Sequence, residues 1–168
     1  MFRFFITVFV AALLSGCGKA PGPSGSEAAI AYGQQALAKG SYEAAIGWFS
    51  SALESDPNSA AAYRLRAEAY YMMAETMAAL PKEGYGAERA TETPVTQLEK
   101  AIADATKATD LDPRDAAAYL VRAKAQHRKG GAGTKDKAVA DCDKALELAA
   151  DGPVAAEAKK LREQIRGG

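Results

Sequence analysis

The 168-residue sequence contains one histidine, His127, and two cysteines, Cys17 and Cys142. A single histidine leaves no histidine pair and no histidine-based metal site within one chain. One apolar run is long, from Phe4 to Leu14, and its eleven residues are too few to span a hydrocarbon core, which needs about 20. These scarcities argue against histidine-based metal chemistry and against a membrane-spanning helix.

The chain also lacks an excess of either charge, since it has 21 basic and 21 acidic residues. Proteins that bind nucleic acid or anionic lipid by electrostatic attraction carry a basic patch or a positive net charge. We therefore expect no nucleic-acid partner, and we expect any partner to be recognised through local contacts.

The N-terminal segment has the order of a bacterial secretory signal. Arg3 precedes the apolar run, and Leu14-Ser15-Gly16-Cys17 ends it. Such signals have a charged start, an apolar stretch and small residues before the cleavage site. The last four residues resemble the lipobox of bacterial lipoproteins, which implies that residues 1–16 are removed and that Cys17 becomes the acylated N-terminus. The alternative is a membrane anchor beside an unrelated cysteine.

The lipobox resemblance also implies a location and a tether. Gly18, in place of an aspartate, resembles the signal that sorts lipoproteins of enteric-type bacteria to the outer membrane, so we expect its periplasmic face. Residues 17–25 lack apolar periodicity and are rich in Gly and Pro, which predicts a flexible tether with a span of about 15 Å. With Cys17 acylated, Cys142 has no intramolecular disulfide partner.

From Ser26 onward the chain is rich in Ala, Leu, Glu and Lys and poor in β-branched residues, which favours helix. One spacing recurs in three places along it. The series are Ala45, Phe49, Ala52; Ala101, Ala105, Ala108; and Ala138, Cys142, Ala145. Residues at offsets of four and seven lie on one helical face, so the pattern predicts three helical hairpins, each with two closely packed helices. Cys142 takes the place of Phe49 and is predicted to be a buried apolar residue.

This pattern resembles the tetratricopeptide repeat, a helical hairpin of about 34 residues. The first helices of the second and third units begin alike, with Tyr, two variable residues and Arg-Ala, at Tyr63 to Ala67 and Tyr119 to Ala123. The resemblance implies an all-α, right-handed solenoid of three hairpins over residues 26–166. The implied repeats are about 26–59, 60–115 and 116–150.

The second unit departs from the repeat length. Pro57 and Pro113, which close the first two units, are separated by about 22 residues more than the repeat expects. We place the insertion near 75–95: the first helix continues to about Leu80, residues 81–93 form a surface excursion, and Thr93-Pro94 begin the next helix.

The C-terminal segment carries one apolar stripe. Its members are Val154, Ala158, Leu161 and Ile165. They share a helical face, and a solenoid must cover its last apolar surface. The stripe therefore predicts a capping helix over 154–166.

The charged residues of the repeats offer no catalytic constellation. Asp104, Asp141 and Asp143 are carboxylates of the kind used in acid-base chemistry, but they recur at equivalent repeat positions, which is typical of structural or solvated residues. Arg66 and Arg122 are predicted to pack their stems inward and to be structural. We predict that the chain is not an enzyme and holds no metal and no cofactor.

Tetratricopeptide arrays bind peptides or proteins along the concave wall of their first helices, so the resemblance implies a groove here. Helical spacing defines this wall, and nine of its residues are the candidate partner contacts: Ile30, Gln34 and Leu37 in the first unit, Arg64, Glu68 and Tyr71 in the second, and Leu120, Lys124 and His127 in the third. We expect Leu37, Tyr71 and Leu120 to be partly exposed, although Tyr71 alternatively packs under the extended helix. His127 is expected on a solvated helix face.

A branch of the family grips chaperone C-termini with a clamp of basic and amide side chains. The positions that match this clamp are Ile30, Gln34, Leu65, Ala117 and Val121. They carry no cation, which disfavours an acidic C-terminal peptide as ligand.

The implied function is a membrane-anchored scaffold or adaptor that binds a peptide or protein partner in its groove. A narrower alternative is an assembly factor, either pilotin-like or part of outer-membrane or cell-wall machinery. A remote alternative is a subunit of an envelope hydrolase.

Overall fold

The computed structural model describes residues 25–79 and 92–167, and every regular element in these ranges is an α-helix. The helices in chain order are α1 (Ser26–Ala38), α2 (Tyr42–Ser55), α3 (Ala60–Ala79), α4 (Pro94–Leu111), α5 (Ala116–Lys129), α6 (Thr134–Leu148) and α7 (Gly152–Gly167). The predicted signal peptide and the lipidated Cys17 lie outside the described residues. Within the two described ranges, none of the helices combines the length and the apolar character that crossing a membrane requires.

Consecutive helices pair as three hairpins, α1 with α2, α3 with α4 and α5 with α6, while α7 packs on α6 and α5. Each hairpin also contacts the next, since α3 lies against α2 and α5 lies against α4. This arrangement confirms the all-α fold of three hairpins with a capping helix. Because the described helices contact mainly their neighbours, the core is a chain of small clusters along the array.

Small residues allow the two helices of each hairpin to approach closely. Ala45, Ala101 and Ala138, which begin the three repeated series, are fully buried. In the first hairpin, Gly33 of α1 faces the ring of Phe49 so closely that a Cβ at Gly33 would lie 2.4 Å from Phe49 Cε1. The helix separation therefore requires the small residues that the spacing predicted.

Thr93 and Pro94 begin α4, as predicted. The Thr93 backbone N–H donates to Thr96 Oγ1 at 2.9 Å, and the Thr96 backbone N–H donates to Thr93 Oγ1 at 3.2 Å. This reciprocal pair is a capping box, and Pro94 occupies the first turn, where no intrahelical donor is needed. The local chemistry of two residues thus sets where the second hairpin resumes.

The second hairpin has the longest helices of the described array. Helix α3 has 20 residues and α4 has 18, whereas α1 has 13 and α2 has 14. The added length of α3 is packed, because Ala74 is buried in a cluster with Leu98 and Ala125. The predicted extension of the first helix is confirmed as far as Ala79. Residues 80–91, which hold most of the predicted surface excursion, lie outside the described residues.

Helix α7 covers the apolar face that the third hairpin leaves open. Its buried residues are Ala155, Ala158, Leu161 and Ile165. Leu161 and Ile165 pack in one cluster with Cys142 of α6 and Leu120 of α5. The helix begins at Gly152, two residues before the predicted start, and Gly152 has a positive φ of 85°, which glycine adopts without steric strain.

Candidate functional site

The nine predicted groove residues lie on α1, α3 and α5, the first helices of the three hairpins, and we call them the first-helix wall. Contacts join them across helices. Gln34, Leu37 and Glu68 line a single cleft between α1 and α3, and Lys124 Nζ lies 6.0 Å from the centre of the Tyr71 ring. Neighbouring first helices therefore bring members of the wall together at two places, the cleft between α1 and α3 and the contact between α3 and α5.

Leu120 is an exception, and its predicted exposure is wrong. The residue is only 4% exposed and packs with Ala123, Cys142 and Leu161. Helix α7 lies over this part of α5, so the capping helix removes Leu120 from the accessible wall. The other eight wall residues are exposed or half-buried.

The cleft between α1 and α3 has a volume of about 360 Å³. Its lining consists of Gln34, Leu37, Ala38, Tyr42, Leu65, Glu68 and Met72. Leu65 is buried at its floor, and Met72 is 37% exposed. Glu68 is half-buried and forms no ion pair within the described residues. The cleft is thus apolar with one uncompensated carboxylate.

A second cleft, lined by Glu27, Ile30, Asp56 and Ser59 among others, lies beside the start of the same two helices. Ile30 is one turn from Gln34 on α1, so the two clefts follow one another along the α1 side of the wall. Its ionisable side chains are both carboxylates. Neither of these acids forms an ion pair within the described residues.

The other end of the wall is occupied by ion pairs within the chain. Lys124 Nζ lies 2.7 Å from Glu157 of α7, and Arg64 Nε lies 2.8 Å from Asp115. Burial raises the pKa of the Tyr71 phenol, and the nearby carboxylate of Glu75 raises it further. Because Lys124 lies over its ring, Tyr71 is half-buried beneath a cation that is itself neutralised.

Tyr71 and His127 occupy intermediate positions. The Tyr71 ring also packs against the cluster around Ala74 and Leu98, so the alternative in which it supports the extended helix holds for part of the ring. His127 lies in the last turn of α5 and is half-buried.

Arg66 and Arg122 are structural, as predicted, and their partners are the repeated aspartates. Arg66 donates from Nε and Nη2 to Asp104 at 2.7 and 3.0 Å, and Arg122 donates in the same way to Asp141 at 2.8 and 2.7 Å. These hydrogen bonds raise the pKa of both guanidinium groups. Each arginine also reaches a hydroxyl of the preceding hairpin, Ser50 for Arg66. Sequence reasoning missed the pairing.

The first hairpin has an aromatic pair where the later hairpins have the arginine and aspartate. Tyr32 precedes Gly33 as Arg66 precedes Ala67, and Trp48 precedes Phe49 as Asp104 precedes Ala105. The two rings stack with their centroids 5.2 Å apart and an interplanar angle of 29°. Tyr32 is 44% exposed. Sequence reasoning missed this replacement of an arginine and an aspartate by two aromatic residues. Aligning the three units position by position would have found it.

The described residues hold no cluster of three or more His, Cys, Asp or Glu side chains that is arranged to bind a metal ion. Cys142 is fully buried, as predicted, and burial raises the pKa of its thiol to about 11. A thiol of this kind is a poor nucleophile at neutral pH. The described residues therefore hold neither such a metal-binding cluster nor a reactive Cys142 thiol.

Two family models match the chain. A model described as "TPR repeat" matches residues 33–73, and one described as "Tetratricopeptide repeat" matches residues 96–153. The two matches lie on either side of the predicted insertion. None of the curated proteins matches this sequence.

Solved structures of the same fold come from several organisms. The chain is similar to the TPR domain of Arabidopsis OM64, with 22% identity, a TM-score of 0.64 and coverage of 84% of this chain and 94% of that one. It is similar to the TPR2B domain of yeast Sti1 in a complex with pHsp70, with 23% identity, a TM-score of 0.64 and coverage of 84% and 96%. It also resembles the Yersinia enterocolitica type III secretion chaperone SycD in complex with a YopD peptide, with 16% identity, a TM-score of 0.63 and coverage of 83% and 91%.

Proposed function

Because the chain is built from tetratricopeptide repeats, we propose that it is a lipid-anchored scaffold or adaptor that binds a peptide or protein segment along the first-helix wall. The proposal assigns the chain no catalytic step. The observation that carries it is the open cleft between α1 and α3, in which Gln34, Leu37 and Glu68 meet over the buried Leu65. Accessible apolar side chains that line up across repeats are typical of protein-binding surfaces.

The solved structures support binding of this kind. The yeast Sti1 domain is in a complex with pHsp70, and the Yersinia chaperone holds a peptide of its translocator. Sequence identities of 16–23% show only a shared fold, so the partner of this chain must be inferred from the residues of its own wall. An acidic C-terminal peptide does not suit that wall, because Leu65 and Val121, which match clamp positions, are buried and apolar.

We further propose that Cys17 carries the lipid and holds the folded array near the periplasmic face of the outer membrane. The sequence Leu14-Ser15-Gly16-Cys17 after a short apolar run supports this anchor. The tether to α1 is short, so the start of α1 would lie on average roughly 15 Å from the lipidated residue.

Site-specific crosslinking in intact cells tests the groove. A photoreactive amino acid at Gln34, in the cleft, should capture a discrete partner protein, because its side chain is exposed beside Leu37. The matched control places the same group at Lys107, an exposed residue of α4 that lines neither cleft. Equal capture from both positions, or none from Gln34, would contradict binding along the wall.

Fractionation tests the anchor. Cys17→Ser removes the acylated atom, so the mutated chain should leave the membrane fraction or accumulate unprocessed. The control is Cys142→Ser, whose thiol is buried in the folded array and has no part in anchoring. Full membrane retention of a processed Cys17→Ser chain would exclude the lipid anchor.

A further inference from the structure

The charges of the wall are distributed unevenly between its two ends. At the α5 end, Lys124 pairs with Glu157, Arg64 pairs with Asp115, and Arg128 pairs with Glu75. Each cation there is already neutralised within the chain. At the α1 end, the carboxylates lining the two clefts have no ion-pair partner among the described residues, and neither lining contains a Lys or Arg. The uncompensated charge lining these two clefts is therefore negative.

The apolar side chains are concentrated at the same end. Leu37, Leu65 and Met72 surround Glu68 in one cleft, and Ile30 lies one turn away beside Glu27 and Asp56. Met72 has an unbranched, polarizable side chain that adapts to different apolar partners. Glu68 is half-buried, so its charge is screened less by solvent than that of a fully exposed carboxylate.

We propose that the α1–α3 end of the wall selects a cationic amphipathic segment of a partner protein. Its apolar side chains enter the cleft between Leu37 and Met72, and a Lys or Arg pairs with Glu68. A guanidinium suits this site best, because it forms two parallel hydrogen bonds with one carboxylate. This inference rests on the proposed function and adds the chemistry of the ligand.

An acidic segment is the opposite case. Entering this cleft would bring its carboxylates beside Glu68 with no free cation among the lining residues to offset the repulsion. The cations at the α5 end are less available to an anion, since each already has a carboxylate beside it, as Lys124 has Glu157.

Matched peptides test the preference in solution. Two fluorescent 12-residue peptides share the same leucine positions and carry either lysine or glutamate at every polar position. By fluorescence anisotropy against the purified chain, the lysine peptide should bind at least tenfold more tightly than the glutamate peptide, and its affinity should fall as salt increases. Equal affinities, tighter binding of the glutamate peptide, or no binding of the lysine peptide would overturn the proposal.

Variants show whether the preference resides at Glu68. Glu68→Gln keeps the side-chain shape and should reduce the affinity for the lysine peptide at least fivefold. Glu163 is an exposed acid of α7, so Glu163→Gln should leave that affinity unchanged. Leu37→Ala should also reduce the affinity for the lysine peptide. Equal effects of Glu68→Gln and Glu163→Gln would overturn the proposal.

Capture in cells separates this inference from the function beneath it. Both proposals are supported if Glu68→Gln strongly reduces capture through Gln34 and the crosslinked site lies in an apolar segment that contains Lys or Arg. If Leu37→Ala reduces capture and Glu68→Gln leaves it unchanged, the proposal of a cationic ligand is overturned, but the proposal of binding along the wall stands. Absence of capture overturns both.

Discussion

Individual arginines connect three helices at a time in this array. Arg122 of α5 donates two hydrogen bonds to Asp141 of α6 and one, at 2.9 Å, to Thr109 of α4. Its guanidinium also lies 5.3 Å from the ring centre of Tyr119. The Asp141 side chain is only 9% exposed, so its charge depends on the arginine for compensation.

Removing one partner of this pair should therefore be costly. We expect Arg122→Ala to lower the free energy of unfolding by about 3 kcal/mol, because it leaves a buried carboxylate unpaired. Arg166→Ala is the matched control: its 3.4 Å ion pair with Asp143 is exposed and should contribute less than about 0.5 kcal/mol. Urea denaturation followed by circular dichroism measures both, and equal losses would contradict the structural role of Arg122.

Cys142 is the second residue whose environment makes a sharp prediction. Burial raises the pKa of its thiol from an ordinary value of about 9 to about 11, so the folded state holds this proton more tightly than the unfolded state. The stabilisation is fully present below pH 9 and is lost as the pH rises through 11. The difference in unfolding free energy between the unmodified chain and Cys142→Ala should therefore shrink by about 2 kcal/mol between pH 8.5 and 10.5.

Alkylation provides an independent measurement of the same thiol. At pH 8, iodoacetamide should label Cys142 slowly in the folded chain and rapidly in urea, with mass spectrometry locating the label. Rapid labelling of the folded chain would show that the thiol is accessible, and a pH-independent difference from Cys142→Ala would show that its pKa is not raised.

At the scale of helices, close approach is decided by single glycines and alanines. Gly33 of α1 allows the Phe49 ring of α2 to lie directly against the helix backbone, whereas Gly47 of the same α2 has nothing within 4 Å of its missing Cβ. The two glycines are thus a matched pair, one in a contact and one at an exposed position.

We expect opposite effects of alanine at these two positions. Gly33→Ala should destabilise the first hairpin by about 1–3 kcal/mol, since the new methyl group overlaps the Phe49 ring. Gly47→Ala should stabilise the protein by about 0.5–1 kcal/mol, because alanine favours helix and meets no neighbour. Thermal unfolding of both variants decides the matter, and a Gly33→Ala protein as stable as Gly47→Ala would disprove the close contact.

At the scale of the whole molecule, stability should propagate from neighbour to neighbour. Helix α7 contacts α6 and α5, and the cluster around Leu161 ends at the third hairpin. The cluster around Phe49, which joins the first hairpin to α3, contains no residue of α7. Damage to one end of the array should therefore be felt first by the adjacent hairpin.

Hydrogen exchange of a capping variant tests this behaviour. Leu161→Ala, which leaves a cavity next to Leu120 and Cys142, should accelerate amide exchange in α5 and α6 while α1 and α2 keep their protection. Lys160→Ala, an exposed neighbour on the same helix, is the control and should change neither. Uniform acceleration across all helices would indicate a single cooperative unit instead of a nearest-neighbour array.

The helices, the three hairpins and the capping stripe could be predicted from the order of the residues. These features depend on spacings of three to seven residues, and helical periodicity converts such spacings directly into faces. The start of α4 was equally local, since Thr93 and Pro94 act within one turn. The placement of Gln34, Leu37 and Glu68 around one cleft followed from the same periodicity.

Which wall residues remain accessible depends on how the helices pack. Leu120 follows the same stripe as Lys124, but α7 packs over it, and the sequence of α5 contains no information about that contact. The pairing of Arg66 with Asp104 spans 38 residues, and neutralisation of Lys124 by Glu157 requires α7 to lie beside α5. A lysine or arginine on one helix can be neutralised by a carboxylate on another helix. Only the packed array therefore shows that the α1–α3 end of the wall is apolar and negative.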